Sequence, residues 1–410
     1  MNKTQDLTNI TNDSNRLSSI LNHYKYVVYS DNYIFSPSGK PLKEINDLVY
    51  INRQYYITQS YTEPIIIYDI KKNTTKELCN DEYIKSVSDG LYIITKCEER
   101  GSVKIWDYNT MKCIKTIKGY IHSEMERSRY GYKYKKDIDD TYLHIYKYNK
   151  NILKVYSIDG FKKIISVKRD TSLELYTILN KKYFLFINKG LAKNSISLEK
   201  YTIKGSLSEI IKKCRTSDRN SDKYYYKTIG INDSNLFILH KYDDYTSKYQ
   251  IIDIESKNEI ISISSNGKTP SVDSTSNFII YISQTIVSAL HNKIKYYLKI
   301  MELRNTKNII DFENVCDYYL TKDNYIIALN TDNKLFKIDL INGRIIKEYS
   351  EIKTSLKHVK ISDVSPDTKY IILNDCYNQN YELWDLHQSL LIKTFTKEGY
   401  YNKAPFFIEL

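Results

Sequence analysis

Val103-Lys104-Ile105-Trp106-Asp107, a short polar turn, then Cys113-Ile114-Lys115-Thr116-Ile117: this stretch decides the fold. It is met again as Tyr381-Glu382-Leu383-Trp384-Asp385, a turn, and Leu391-Ile392-Lys393-Thr394-Phe395. Each copy is an alternating strand, a tight connection and a second alternating strand, the period-two pattern of half-buried sheet. The two Trp-Asp pairs hold both tryptophans of the chain. The same phrase without tryptophan recurs at Asp69, Asp253 and Asp339. A repeat of about 40–50 residues belongs to a repeat architecture, which overrides any domain count based on length.

Outward from these anchors, the chain divides into strand–turn–strand units with little left over. Clean four-strand units lie at residues 47–78, 83–117, 173–211, 224–263, 315–349 and 360–395; residues 278–312 give three strands. A longer unit ends in strands at 153–156 and 163–167. Asn342-Gly343, Ser365-Pro366-Asp367 and Lys189-Gly190 stand where hairpins need turn residues. Four short antiparallel strands per repeat, with no long helical pattern between them, predict an all-β fold: a single β-propeller of four-stranded antiparallel blades. Nine units can be counted against the usual four to eight, so eight blades are expected, with seven to nine compatible. Residues 1–24 read as a tail or short helix, with Leu17, Ile20 and Leu21 after Asp13-Ser14. Residues 25–410 form the propeller. The incomplete first unit and the lone final strand at 405–409 predict closure by pairing of the N- and C-terminal strands, which removes two exposed edges.

The stretch from Asp363 to Glu398, with its Ser365-Pro366-Asp367 turn and Trp384-Asp385, resembles the WD40-repeat family. The stretch from Tyr83 to Gly119, with Ser88-Asp89-Gly90 and Trp106-Asp107, is similar to it as well. Elsewhere the rhythm survives without the motif. The family's Gly-His dipeptide is absent, and Arg100 and Asn378 stand where it usually has a turn aspartate. Its His–Ser–Asp–Trp hydrogen-bond network is therefore not expected. The resemblance implies a divergent WD40-like propeller in which Trp106, Asp107, Trp384 and Asp385 are structural, and whose loops dock other proteins.

Tyrosine, at 41 residues, is the compositional outlier; Lys, Asn and Ile are also abundant, a set with AT-rich codons. The net charge is +12. Such a balance favours acidic partners, although an AT-rich genome enriches lysine without selection for binding. The six cysteines show no CxxC spacing, and the N-terminus has no apolar signal core. The most apolar stretch, from Phe278 to Leu290, is interrupted by Ser283, Gln284, Thr285 and Ser288. It falls short of the ~20 apolar residues of a spanning helix. The expectation is an intracellular, cytoplasmic protein without membrane insertion (the host cytoplasm for a viral genome).

The seven histidines are scattered, with no HxH or HExxH, so no metal site is expected. No Walker A, GxGxxG or GxSxG sequence occurs, and with 12 glycines a phosphate-cradling loop or bound cofactor is not expected. No catalytic residues are assigned. The candidate contact surface is the insertion from Arg127 to Lys136. Its tyrosines, Tyr130 and Tyr132 among them, alternate with basic residues, so an extended segment separates them from Arg129, Lys133 and Lys135. Arg127 and Lys136 flank it. That array suits a polyanion or a protein partner; equally, the rings fit the inward face of a blade strand. The expected function is a non-catalytic protein–protein interaction scaffold. A polyanion- or nucleic-acid-binding propeller using this insertion is the alternative, and a propeller enzyme is the reading least supported by motif.

Overall fold

A computed structural model describes residues 23–409 except 31, 53, 60–63, 71, 73, 79–82, 88–91, 98–100, 119, 122–141, 148–151, 158–160, 169–171, 180–182, 190–194, 203–206, 216–235, 243–245, 254–255, 267–271, 275–277, 289–292, 303–308, 322, 350–351, 376, 379 and 397–404. The expected strand at 224–231 and the N-terminal helix lie outside the described residues. Among those described, the regular elements are 35 strands, paired antiparallel with their sequence neighbours. They form nine sheets, eight of four strands and one of three. This succession of four-stranded antiparallel meanders is the blade form of a β-propeller. Nine sheets sit at the upper end of the expected seven to nine rather than at eight, because the unit carrying the long insertion forms a full sheet of its own. Two of its strands, Tyr120–Ile121 and Tyr142–Lys147, are not among those expected from the sequence pattern. The stretch beginning at Phe278 is one strand, Phe278–Ser288, in a long hairpin with Lys293–Glu302.

The terminal strands meet. Tyr26–Ser30 pairs with Phe406–Glu409, with Val27 opposite Ile408 and Val28 opposite Phe407. Tyr33–Phe35 and Pro41–Glu44 complete that sheet.

The chain divides into two compact units, residues 1–148, 157–161 and 352–410, and residues 149–156 and 162–351. In the first, Val28, Phe35, Ile372, Leu383 and Phe395 share a buried cluster that joins the terminal sheet to the sheet of residues 359–396. Tyr26 donates to both carboxylate oxygens of Asp367, at 2.9 and 2.8 Å, across the same junction. The Phe407 amide donates to Asp363 at 2.9 Å. In the second unit, Ile280, Leu298, Ile300, Ile326, Ala328 and Ile338 form the corresponding core. Each such Val, Leu, Ile or Phe side chain stabilises the fold by about 1.5–3 kcal/mol through burial.

Within a sheet, burial falls toward the fourth strand. Tyr370–Asp375, a second strand, is buried at every position, whereas the fourth strands Thr74–Glu77 and Arg344–Glu348 are exposed throughout. Sequence mirrors this: buried strands read as apolar runs, and fourth strands carry Lys, Arg and Glu, which discourage edge-to-edge pairing.

The recurring phrase encodes one hairpin. Asp69, Asp107, Asp339 and Asp385 each end the third strand of a sheet, and Asp253 ends the middle strand of the three described in its own. In each, the carboxylate accepts from the backbone nitrogen three residues on: Lys72 at 2.9 Å, Thr110 at 2.6 Å, Ser256 at 2.6 Å, Asn342 at 3.2 Å and Gln388 at 3.0 Å. A short carboxylate is suited to that backbone bond, which is why aspartate recurs. Four residues after the aspartate the chain turns left-handed, at Met111 (φ 55°), Lys257 (φ 61°), Gly343 (φ 59°) and Ser389 (φ 51°). Seven residues after four of these aspartates the following strand bulges, and the register skips Ile114, Ile260, Ile346 and Ile392, whereas Lys76 after Asp69 stays paired with Ile67. Phe161 (φ 47°) with Ile164, and Gly39 (φ 76°) with Leu42, repeat the spacing without the aspartate.

Fourth strands also grip the next hairpin turn. Lys76 Nζ donates to the Thr110 carbonyl at 2.9 Å, and Lys115 Nζ donates to that of Phe161. Gly343 lies so close to Ile310 that a Cβ there would meet its Cδ1 at 1.9 Å, and Gly39 sits against Ile392 in the same manner. Several lysines are therefore structural.

Candidate interaction surface

Trp106 and Asp107 close the strand Ser102–Asp107, and Trp384 and Asp385 close Asn380–Asp385. The aspartates cap turns. Hydrogen bonds from the Thr110 backbone and side chain hold the Asp107 carboxyl below the usual carboxylate range. The Asn342 side chain and amides do the same for Asp339. Trp384 is buried and Trp106 partly buried, and they differ in what they bind. Trp106 Nε1 donates to Thr95 Oγ1 at 2.9 Å, across to the neighbouring strand. Trp384 Nε1 donates instead to Glu382, two residues earlier on its own strand, at 2.8 Å. Arg127, Arg129, Tyr130, Tyr132, Lys133, Lys135 and Lys136 lie outside the described residues.

Glu382 is fully buried. Besides the indole it accepts Thr354 Oγ1 at 2.7 Å, Ser355 Oγ at 2.6 Å and the Ser355 amide at 3.2 Å. A carboxylate in an apolar interior is tolerable only with its oxygens satisfied, and four donors achieve that. Through these bonds Glu382 ties the connection 352–358 to this sheet. Asp375 holds the neighbouring turn. It accepts the Tyr377 amide at 3.0 Å, Asn378 Nδ2 at 3.0 Å and the Lys357 amide at 3.3 Å. Burial raises the Asp375 pKa, but these bonds outweigh it and hold the carboxyl below its ordinary value.

The two buried carboxylates therefore fix two exposed segments, the connection 352–358 and the turn bearing Tyr377. Lys353, Ser355, Lys357 and His358 are exposed on the first, and Tyr377 is 67% exposed on the second. The His358 and Tyr377 rings meet edge to face with centroids 4.7 Å apart. Sequence reasoning passed over these residues. A signal was present: Glu382 interrupts a strand whose other central positions are apolar or aromatic, and a charge there needs partners.

A second exposed feature lies on the fourth strands. Ile345 and Ile346, in the strand Arg344–Glu348, are 42% and 51% exposed, and Ile341 in the preceding turn is 70% exposed. Ile309, on the adjoining strand Ile309–Glu313, is 40% exposed and neighbours the Ile310 that packs on Gly343. In the other unit, Leu390 and Leu391 are 55% and 40% exposed.

Among the described residues, no group of three or more His, Cys, Asp or Glu could hold a metal ion. Among them also, no helix is long and apolar enough to cross a membrane.

The blades define the class: a β-propeller. No family model matches the chain, and no curated protein matches it. Solved structures similar to it include that of the Dos1 propeller, at 11% identity and a TM-score of 0.46, covering 85% of this chain and 92% of that one. AztD from Citrobacter koseri is similar at 10% identity and 0.38, covering 84% and 95%. BamB from Moraxella catarrhalis is similar at 12% and 0.35, covering 78% and 89%.

Proposed function

We propose that this chain is a divergent WD40-like propeller acting as a non-catalytic, cytoplasmic scaffold that binds other proteins. The observation that carries this reading is the exposure of Ile341, Ile345 and Ile346 along one hairpin, with Ile309 also exposed on the strand whose Ile310 packs against Gly343 of that hairpin. Large apolar side chains held at 40% exposure or more, three on strands and one in a capped turn, are suited to burial against a partner. The bulge at Ile346 and the charges of Arg344, Lys347 and Glu348 blunt plain edge-strand addition, so side-chain contact is the mode proposed. The WD40-like hairpin spacing supports the family likeness. No described residue distinguishes the polyanion alternative, whose insertion lies outside the described residues.

Affinity capture from native cells, with wild-type chain and an Ile345→Lys/Ile346→Lys variant as bait, tests this. A protein retained stoichiometrically by wild type and lost by the variant is expected. Identical capture by both baits would remove the proposed surface.

A further inference from the structure

We propose that the surface formed by Lys353, Lys357, His358 and Tyr377 binds an acidic, extended segment of a partner protein. This deepens the scaffold reading and rests on it, but through a surface separate from the exposed isoleucines.

Three observations carry it. First, both of its lysines are exposed, whereas the described carboxylates beneath them are buried. Lys353, Lys357 and His358 are exposed, while Asp375 and Glu382 below them are 3% and 0% exposed and spend their oxygens on internal donors. Second, it is already ordered. Glu382 accepts the Ser355 amide and Asp375 accepts the Lys357 amide, so the backbone carrying both lysines is anchored at two points. A preordered contact loses less conformational entropy on binding. Third, it has an aromatic anchor. Tyr377 stands 67% exposed with its ring set against His358, and a supported tyrosine supplies contact area at little entropic cost.

The arrangement suits carboxylates flanking an apolar side chain: cations meet the acids, and the ring pair meets the apolar group. A nucleic acid would need cations tracking successive phosphates, for which two lysines beside an edge-to-face ring pair are poorly laid out. The net charge of +12 favours encounter with an acidic partner in either case.

The test is fluorescence anisotropy at low ionic strength on the full chain. The probes are a short labelled peptide of repeated Glu-Gly-Phe-Glu, the same peptide with Lys for Glu, and a labelled oligothymidine. The Glu peptide is expected to bind best. Lys353→Glu/Lys357→Glu should weaken it by about tenfold or more, and Tyr377→Ala by about fivefold. Melting curves matching wild type would show that the variants fold. The inference is overturned if the Glu peptide does not bind, if charge reversal leaves its binding intact, or if oligothymidine binds better and is lost in the same variant. Should a partner captured through the isoleucines persist in any of those cases, the scaffold reading stands and only this surface falls.

Discussion

Trp384 donates its indole proton to Glu382, which lies two residues earlier on the same strand and is fully buried. Alternate residues of a strand share a face, so the pair stands side by side. The glutamate then reaches Thr354 and Ser355 and ties the entering connection to the sheet.

Removing that charge should be costly. Glu382→Gln places an amide NH2 among four donors, and loss of charge-assisted bonds to a buried group costs about 2–3 kcal/mol. A denaturant midpoint within error of wild type would contradict this account.

The other tryptophan allows a cleaner measurement. Trp106→Phe and Thr95→Val each remove one side of a single indole–hydroxyl bond. A double-mutant cycle should show a coupling of about 0.5–1.5 kcal/mol. A coupling near zero would mean that the bond adds nothing to the packing of the ring.

Hairpin position four should discriminate by residue type. At Gly343, with φ 59°, alanine is strained and its Cβ meets Ile310, so Gly343→Ala should destabilise by about 1–2 kcal/mol. At Lys257, with φ 61°, the strain is already present. Lys257→Gly should be neutral or stabilise by up to about 1 kcal/mol, since relief of strain is partly offset by unfolded-state entropy. A loss at Gly343 with none at Lys257 in thermal unfolding is the expected outcome; a loss at both would argue against a shared turn.

Acid should loosen the junction of the terminal sheet. Burial raises the Asp367 pKa, but bonds from Ser365, the Lys369 amide and Tyr26 outweigh it and leave the carboxyl below its ordinary value. Burial, then the bond to Asp367, pushes the Tyr26 hydroxyl far above its ordinary value, so it stays protonated. A depressed carboxyl contributes stability above its unfolded pKa of about 3.9 and loses it as pH falls through the folded value. Stability should therefore decline below about pH 4, and Asp367→Asn should flatten that decline in urea titrations at stepped pH. Parallel curves for the two proteins would exclude Asp367 as a contributor.

Much of the architecture was legible because the hairpin is local. The strands around Trp106, Asp253, Asp339 and Trp384 follow from alternation and a capped turn, both properties of adjacent residues. Where alternation fails, so does the reading. Val272–Ser274 is three residues with one apolar side chain, and Phe278–Ser288 runs through Ser283, Gln284 and Thr285. The candidate surface was less legible still. Arg127 to Lys136 caught the eye by composition, whereas Lys357, His358 and Tyr377 come together across 20 residues of chain and no motif joins them.

By itself the sequence determined the repeating unit: an alternating strand ending in aspartate, a short turn, then a second alternating strand. Those preferences are set by backbone sterics and short-range hydrogen bonds, which act within a dozen residues. Tertiary structure alone decided which polar groups meet across the chain: Tyr26 with Asp367, Phe407 with Asp363, and Glu382 with Thr354 and Ser355. Such pairs form only after sheet stacking removes water and leaves each buried oxygen in need of a donor, and nothing in their local sequence names the partner.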